Sequence, residues 1–182
     1  MKNTPTLYTE HLTLDRFTLE DVPAVRDGLY SEAVCRNLFI TPNKTTEEVT
    51  ENIQWLLDGY ETKEDFHQWA VRENGLCVGR VMLSVNRRFS TGTVAYYLAE
   101  SAWGKGYMTE ALRAVIQYGF DGLNLNRIEA QHETTNPASG AVMRKCHMQH
   151  EGTLRSRLFN KGRYVDVELY AILRKEYEHR KK

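Results

Sequence analysis

Between Thr93 and Gly122 the chain reads TVAYYLAESAWGKGYMTEALRAVIQYGFDG, and the chemistry this stretch can do is the holding of a phosphate. Trp103-Gly104-Lys105-Gly106-Tyr107-Met108-Thr109 is a glycine-punctuated turn, after which apolar residues recur at Met108, Ala111, Leu112, Val115, Ile116, Gly119 and Phe120, the spacing of one helix face. A turn that feeds straight into a helix leaves the first backbone N–H groups unpaired, and the helix dipole favours negative charge in front of them. Several phosphate ligands compete. A P-loop needs G-x-x-x-x-G-K-[ST], which this stretch does not supply. The dinucleotide pattern G-x-G-x-x-G matches at Gly104 and Gly106, but Thr109 stands where a third glycine lets helix and strand close up. Glu129 lies at a tolerable distance for the ribose-binding acid, yet falls inside a strand rather than at its end. A tight turn that merely joins strand to helix is the plain alternative.

A second constellation lies near the end of the chain. Period-two alternation puts Tyr164, Asp166, Glu168 and Tyr170 on one face of a strand and Val165, Val167, Leu169 and Ala171 on the other. Two acids between two tyrosines either line a site or form the wet side of a sheet. No His/Cys cluster has metal-ligand spacing, so no metal is expected, and no G-x-S-x-G nucleophile elbow occurs. The three cysteines, Cys35, Cys77 and Cys146, lack C-x-x-C spacing, and an odd count suits reduced thiols in a cytosol. Cys146, on an apolar helix face, reads as packing rather than as an acyl-carrying nucleophile.

Length and composition agree with a compact catalytic or binding domain. The 182 residues suit one domain spanning 1–182, and 24 Lys+Arg against 24 Asp+Glu give no net field to recruit nucleic acid or an anionic membrane. No apolar run approaches a membrane span and MKNTPTLYTE lacks the apolar region of a signal peptide, so a cytoplasmic location is expected.

The elements that must position these residues follow from periodicity. Leu7 to Phe17 reads as a first strand; Thr18-Leu19-Glu20-Asp21 and Thr45-Thr46-Glu47-Glu48 have capping-box spacing and open two helices. Gln68 to Val71 and Leu76 to Val85 are strands joined by a Glu73-Asn74-Gly75 hairpin turn, and Arg87 to Gly92 turns the chain into the strand Val94 to Leu98. Asp121-Gly122 closes the long helix, Arg127 to His132 is a strand, and Asn136-Pro137 starts a helix with asparagine as cap. A hairpin turning near Asn160-Lys161-Gly162 ends the fold, leaving Arg174 to Lys182 as a solvated basic tail. Helices interleaved with a mostly antiparallel sheet make a mixed α/β layer fold.

Trp103 to Leu112 resembles motif A of the GNAT superfamily of N-acetyltransferases, in the form typical of its Rim-type, ribosomal-protein branch. Glu10, Leu12, Leu14 and Thr18 to Asp21 match the common opening of that branch, and Asn136 with Ser139 matches its N-x-x-S motif. The resemblance covers nearly the whole chain. It implies a mostly antiparallel central sheet flanked by helices, with a splayed parallel strand pair that admits the pantetheine arm of acetyl-CoA.

The resemblance also implies roles. Backbone N–H groups of Gly104, Lys105, Gly106, Tyr107, Met108 and Thr109 would hold the pyrophosphate, and backbone at Tyr97 and Leu98 would pair with pantetheine. Asn136, Ser139 and Lys145 belong to the motif that contacts the arm, and Asp166 with Tyr170 matches a D-x-x-x-Y pattern of the last strand. Tyr170 is the expected general acid for the departing thiolate, with Ser139 as its rival and Asp166 at the acceptor side. Where relatives carry a glutamate base this chain has Thr93, which leaves Glu129, His132, Glu133, Asp166 or a water chain. His147 replaces a usual glycine. The implied activity is direct acetyl transfer from acetyl-CoA to a primary amine, a protein N-terminus or a small amine, by a monomer or homodimer. A non-catalytic acyl-CoA-binding module and a nucleotide-dependent oxidoreductase are the alternatives.

Overall fold

The computed structural model describes residues 4–181. Its strands are β1 (Leu7–Tyr8), β2 (Leu12–Asp15), β3 (Phe66–Glu73), β4 (Leu76–Asn86), β5 (Thr91–Leu98), β6 (Arg127–Glu133), β7 (Gln149–Asn160) and β8 (Arg163–Leu173). The helices are α1 (Val22–Leu29), α2 (Glu32–Cys35), α3 (Thr46–Thr62), α4 (Tyr107–Gln117), α5 (Pro137–Lys145) and α6 (Arg174–Lys181). All eight strands join one sheet in the order β1-β2-β3-β4-β5-β6-β8-β7. Every pairing is antiparallel except β5 with β6.

That parallel pair is short. Thr91, Gly92 and Thr93 pair with Arg127, Ile128 and Glu129, and the ladder then stops although β5 continues to Leu98 and β6 to Glu133. The two strands therefore part, and their facing edges border a gap. Helices cover both faces of the sheet. Met108, Ala111, Leu112, Val115 and Ile116 of α4 pack on Leu14, Trp69, Val81 and Leu83, while Val25 and Leu29 of α1 and Val49 and Ile53 of α3 pack on Ala70 and Cys77.

Local chemistry explains most element boundaries. Thr45 accepts from Glu48 N at 3.2 Å while Glu48 accepts from Thr45 N at 2.9 Å, and Asp21 accepts from Thr18 N at 2.8 Å, so both expected capping boxes form. Gly106 caps α4 at φ +83°, a left-handed conformation that glycine adopts without strain. Five residues, Tyr118–Gly122, then finish the helix as a π-turn.

The structure corrects three details. The expected strand Leu7 to Phe17 is two strands, because Thr9 N turns back to Leu12 O at 3.0 Å. Between β2 and β3 lie three helices rather than two, the extra one being the short α2, capped by Ser31. The basic tail is the helix α6, and it is docked: the Arg174 guanidinium donates to Leu125 O at 2.9 Å and Phe120 O at 2.7 Å, and Tyr177 stacks on Phe120 at 4.8 Å. A cation satisfies the orphan carbonyls at the end of the preceding helical turn. Lys182 lies outside the described residues.

His147 takes the left-handed conformation its glycine counterpart would, at φ +63°. His147 N bonds Arg144 O at 2.9 Å and Met148 N bonds Met143 O at 3.1 Å, a Schellman closure whose apolar pair, Met143 and Met148, is buried. The substitution changes the residue and not the turn.

Candidate active site

A cavity of about 550 Å³ opens in front of the α4 N-terminus and extends along β5 toward α5, with the segment from Ala33 to Leu38 as its outer wall. Gly104, at φ +75°, and Gly106 hold the turn. A Cβ at either glycine would meet no neighbour within 4 Å, so the conformation rather than crowding calls for glycine. Gly104, Gly106, Tyr107, Met108 and Thr109 line the cavity. The first bond inside the helix is Glu110 N to Gly106 O, at 3.1 Å, so the amides before it are not used within the helix. Lys105 is turned away, its ammonium 3.1 Å from Glu73, and the Tyr107 hydroxyl donates to the same carboxylate. These two bonds tie the turn to β3. They hold the Glu73 carboxyl below its usual range, the Tyr107 contact first and the Lys105 contact second.

Tyr97 and Leu98 also line the cavity, where β5 has left β6. Ala99 N bonds Val78 O on the β4 side at 2.9 Å, and ladder alternation then points the Tyr97 amide group at β4 and those of Tyr96 and Leu98 at the gap. Leu98 O is taken by the Trp103 indole at 2.9 Å. The backbone groups facing the gap are thus those of Tyr96 and Leu98 rather than of Tyr97 and Leu98.

Helix α5 divides the remaining candidates. Its cavity face carries Ala138, Ser139, Val142 and Lys145; its other face carries Gly140, Met143 and Arg144. Asn136 caps the helix, its Oδ1 accepting from Ser139 N at 3.4 Å. The Ser139 hydroxyl donates to the Tyr96 hydroxyl at 3.0 Å, and Tyr96 donates to Ser139 O at 3.0 Å. Burial raises the Tyr96 phenol well above its ordinary value, outweighing the Ser139 bond that pulls it down, so Tyr96 stays protonated.

Tyr170 is not brought to this cavity. Its ring lies on the other side of α5, stacked on His132 at 5.7 Å, and its hydroxyl accepts from Arg144 at 3.0 Å. At 6% exposure it is core, because α5 closes over that end of β8; a Cβ on Gly140 would come within 2.5 Å of His132 Nε2. Asp166 shares the Tyr170 face and accepts from Ser156 N at 2.7 Å, again outside the cavity wall.

Register sorts the possible bases. Thr93 pairs with Glu129 where the gap begins, and four residues on along each strand, beyond the end of the ladder, stand Tyr97 and Glu133, on the face of that pair. Tyr97 packs toward α1, so Glu133 is on the side of the sheet that α1 and α2 cover. Its carboxylate is buried at 5% exposure, accepts from the Asn160 amide, and has Arg163 at 3.5 Å. Glu129 sits at the closed end of the gap, paired with Arg127 at 3.0 Å. His132 points under α5 with Nδ1 2.8 Å from Glu133 O.

Two features escape sequence reasoning. Tyr96 shares a strand face with Val94 and Leu98, which alternation could have shown, but its bond to a serine 43 positions away is tertiary. The α2 wall left no periodic signal at all.

Glycine turn, strand gap and paired hydroxyls thus border one cavity, with unpaired amides at one end and hydroxyls in its wall. The sheet is not the doubly wound parallel sheet of the dinucleotide alternative, since among the described residues one strand pair alone is parallel. Residues 11–149 match the acetyltransferase (GNAT) domain family. An uncharacterized N-acetyltransferase, p20 of Bacillus licheniformis, is 33% identical over 174 residues, 94% of this chain and 98% of p20. A GNAT-family acetyltransferase structure from Bacillus anthracis superposes with a TM-score of 0.83 at 24% identity, covering 94% of this chain and all of that one. RimL, the ribosomal L7/L12 alpha-N-protein acetyltransferase in complex with coenzyme A, superposes with a TM-score of 0.83 at 21% identity over 93% of this chain and 98% of its own. The chain belongs to the GNAT family and is an N-acetyltransferase. Acetyl-CoA is the acetyl donor of that family. Among the described residues no helix is long and apolar enough to cross a membrane, and no cluster of His, Cys, Asp and Glu could hold a metal.

Proposed function

We propose that this enzyme, as a single domain over residues 1–182, transfers acetyl directly from acetyl-CoA to a primary amine within a ternary complex in the cytoplasm. The observation that carries the reading is the Ser139–Tyr96 hydroxyl pair in the wall of the cavity that begins at the glycine turn. Acetyl-CoA fits the groups present: free amides at Gly104 to Thr109 suit its pyrophosphate, and the Asn136 amide and the open edge of β5 suit its pantetheine arm. Lys145, further along the α5 face, would meet the phosphate-bearing end.

The amine approaches from the α1–α2 side and loses a proton, through one water, to Glu133. Its nitrogen adds to the thioester carbonyl, the carbon–sulfur bond breaks, and the Ser139 hydroxyl hydrogen-bonds the departing thiolate, which takes up the proton released by the newly acylated nitrogen. Tyr96, kept protonated by burial, holds Ser139 in place. Tyr170 and Asp166 act from behind, the first by bonding Arg144 of α5 and the second by anchoring β7. The acceptor is a protein N-terminus, as the name of RimL states for that protein, or a small amine. Nucleic acid and membrane play no part, and the protein works as a monomer or homodimer.

Thiol release from acetyl-CoA in the presence of a pooled amine library, read together with intact-protein mass, tests the reading. Acetylated amine with no acetyl-enzyme is expected. A stable acetyl-enzyme formed before amine is added would refute direct transfer, and tight acetyl-CoA binding with no acceptor at all would favour a sensing module.

A further inference from the structure

Helix α2 crosses the acceptor side like a strut, fastened at both ends. At its start the Ser31 hydroxyl donates to Glu100, just beyond β5, at 2.8 Å. At its end the Lys161 ammonium, from the tip of the β7–β8 hairpin, donates to the carbonyls of Cys35 and of Arg36, the latter at 3.1 Å. The strut therefore lies over the separated ends of β5 and β6, on the face that carries Tyr97 and Glu133.

The charged side chains that line the cavity, Arg36 and Lys145, are both cations. Arg36 is exposed, lines the cavity and makes no ion pair among the described residues. Lys161 is spent on carbonyls, which leaves its charge uncancelled. Arg163, with 63% of its side chain exposed, has as its partner the buried Glu133. Three cations thus stand on the α2 side with the buried Glu133, which is committed to Asn160 and Thr135; Glu32 and Glu100 lie at the start of the strut, and no carboxylate lines the cavity. The glycine turn and Lys145 lie at the other end, so the donor phosphates do not account for this group.

Resting on the acetyl-transfer reading above, we propose that the acceptor is an amine with an anionic group a few bonds from its nitrogen. Glu133 takes the amine end and Arg36 with Arg163 takes the anion. A polyamine would bring its further cations against three like charges, and is rejected. The same chemistry is offered by a free amino acid through its carboxylate and by a protein N-terminus through an acidic second residue.

The test measures kcat/KM at saturating acetyl-CoA for alanine against alaninamide, for the peptide amide Ser-Glu-Ala against Ser-Gln-Ala, and for spermidine. The expected result is an advantage of about tenfold or more for the anionic member of at least one pair, which names the source. Arg36→Gln should shrink that ratio several-fold, as should raising salt from about 0.05 to 0.5 M, where screening tightens. Using the ratio cancels any effect of Arg36 on the donor, and Arg163→Gln is the independent second variant. Preference for the neutral members or spermidine, or a ratio unmoved by both substitutions, overturns the inference. Equal acetylation of every amine sinks this inference alone; acetyl-CoA binding with no amine acetylated sinks the transfer reading and this inference with it.

Discussion

Removing the Ser139 hydroxyl separates the geometry of this site from the pattern of its last strand. In Ser139→Ala the cap bond from the Ser139 backbone N–H to Asn136 persists, and Tyr96 still donates to the residue 139 carbonyl, so only one neutral hydrogen bond is lost. That costs about 0.5–1.5 kcal/mol, or a fall of a few degrees in Tm at roughly 2–4 °C per kcal/mol for a chain of this size. In the reaction the same hydroxyl faces a thiolate, and a hydrogen bond to a charged group contributes about 1.5–3 kcal/mol, or about 10- to 150-fold in kcat at about 1.36 kcal/mol per tenfold. The assay is thiol release for kcat and KM, with calorimetry for acetyl-CoA affinity and a thermal melt for stability. Tyr170→Phe is the paired control. It removes only the bond to Arg144 behind α5, so Tm should drop slightly and kcat should stay within a few-fold. If Tyr170→Phe abolishes turnover while Ser139→Ala keeps kcat within about threefold, the Ser139 hydroxyl is not the group that stabilises the thiolate.

Gly106→Ala forces a Cβ at φ +83° and should cost about 1–2 kcal/mol of stability while weakening acetyl-CoA binding at least tenfold; unchanged affinity in the folded variant would move the phosphate site elsewhere. Asn136→Asp keeps the oxygen that caps α5 and loses the amide donor, so Tm should hold while KM for acetyl-CoA rises, and an unchanged KM would leave capping as the residue's whole task. His147→Gly relieves a left-handed side chain at some entropic cost, for a net gain of roughly 0.5 kcal/mol; a lower Tm would contradict the account of the Schellman turn. Burial pushes the Cys77 and Cys146 thiols up to about 12 and raises that of Cys35, so a thiol-reactive dye should label none of the three in native protein near pH 8 and all of them after denaturation.

Local order was legible in the chain because it is set by neighbours in sequence. The glycine turn before Tyr107, the capping boxes at Thr18 and Thr45, the asparagine cap at Asn136 and the apolar stripe of α4 each involve residues within a few positions of one another. They place the glycine turn and the start of α4, which line one end of the cavity. Contacts between distant segments decided the rest. Alternation put Asp166 and Tyr170 on one strand face, but only the packing of α5 shows that this face is covered and that the hydroxyls in the cavity wall are those of Ser139 and Tyr96. The parting of β5 from β6 depends on where a ladder ends, which no residue of either strand announces. Arg36, Lys161, Arg163 and Glu133 come from four separate elements and turns, and the strut α2 is too short for its four residues to show a period. Periodicity reports which side of an element is buried; what lies across from that side is a property of the assembled fold.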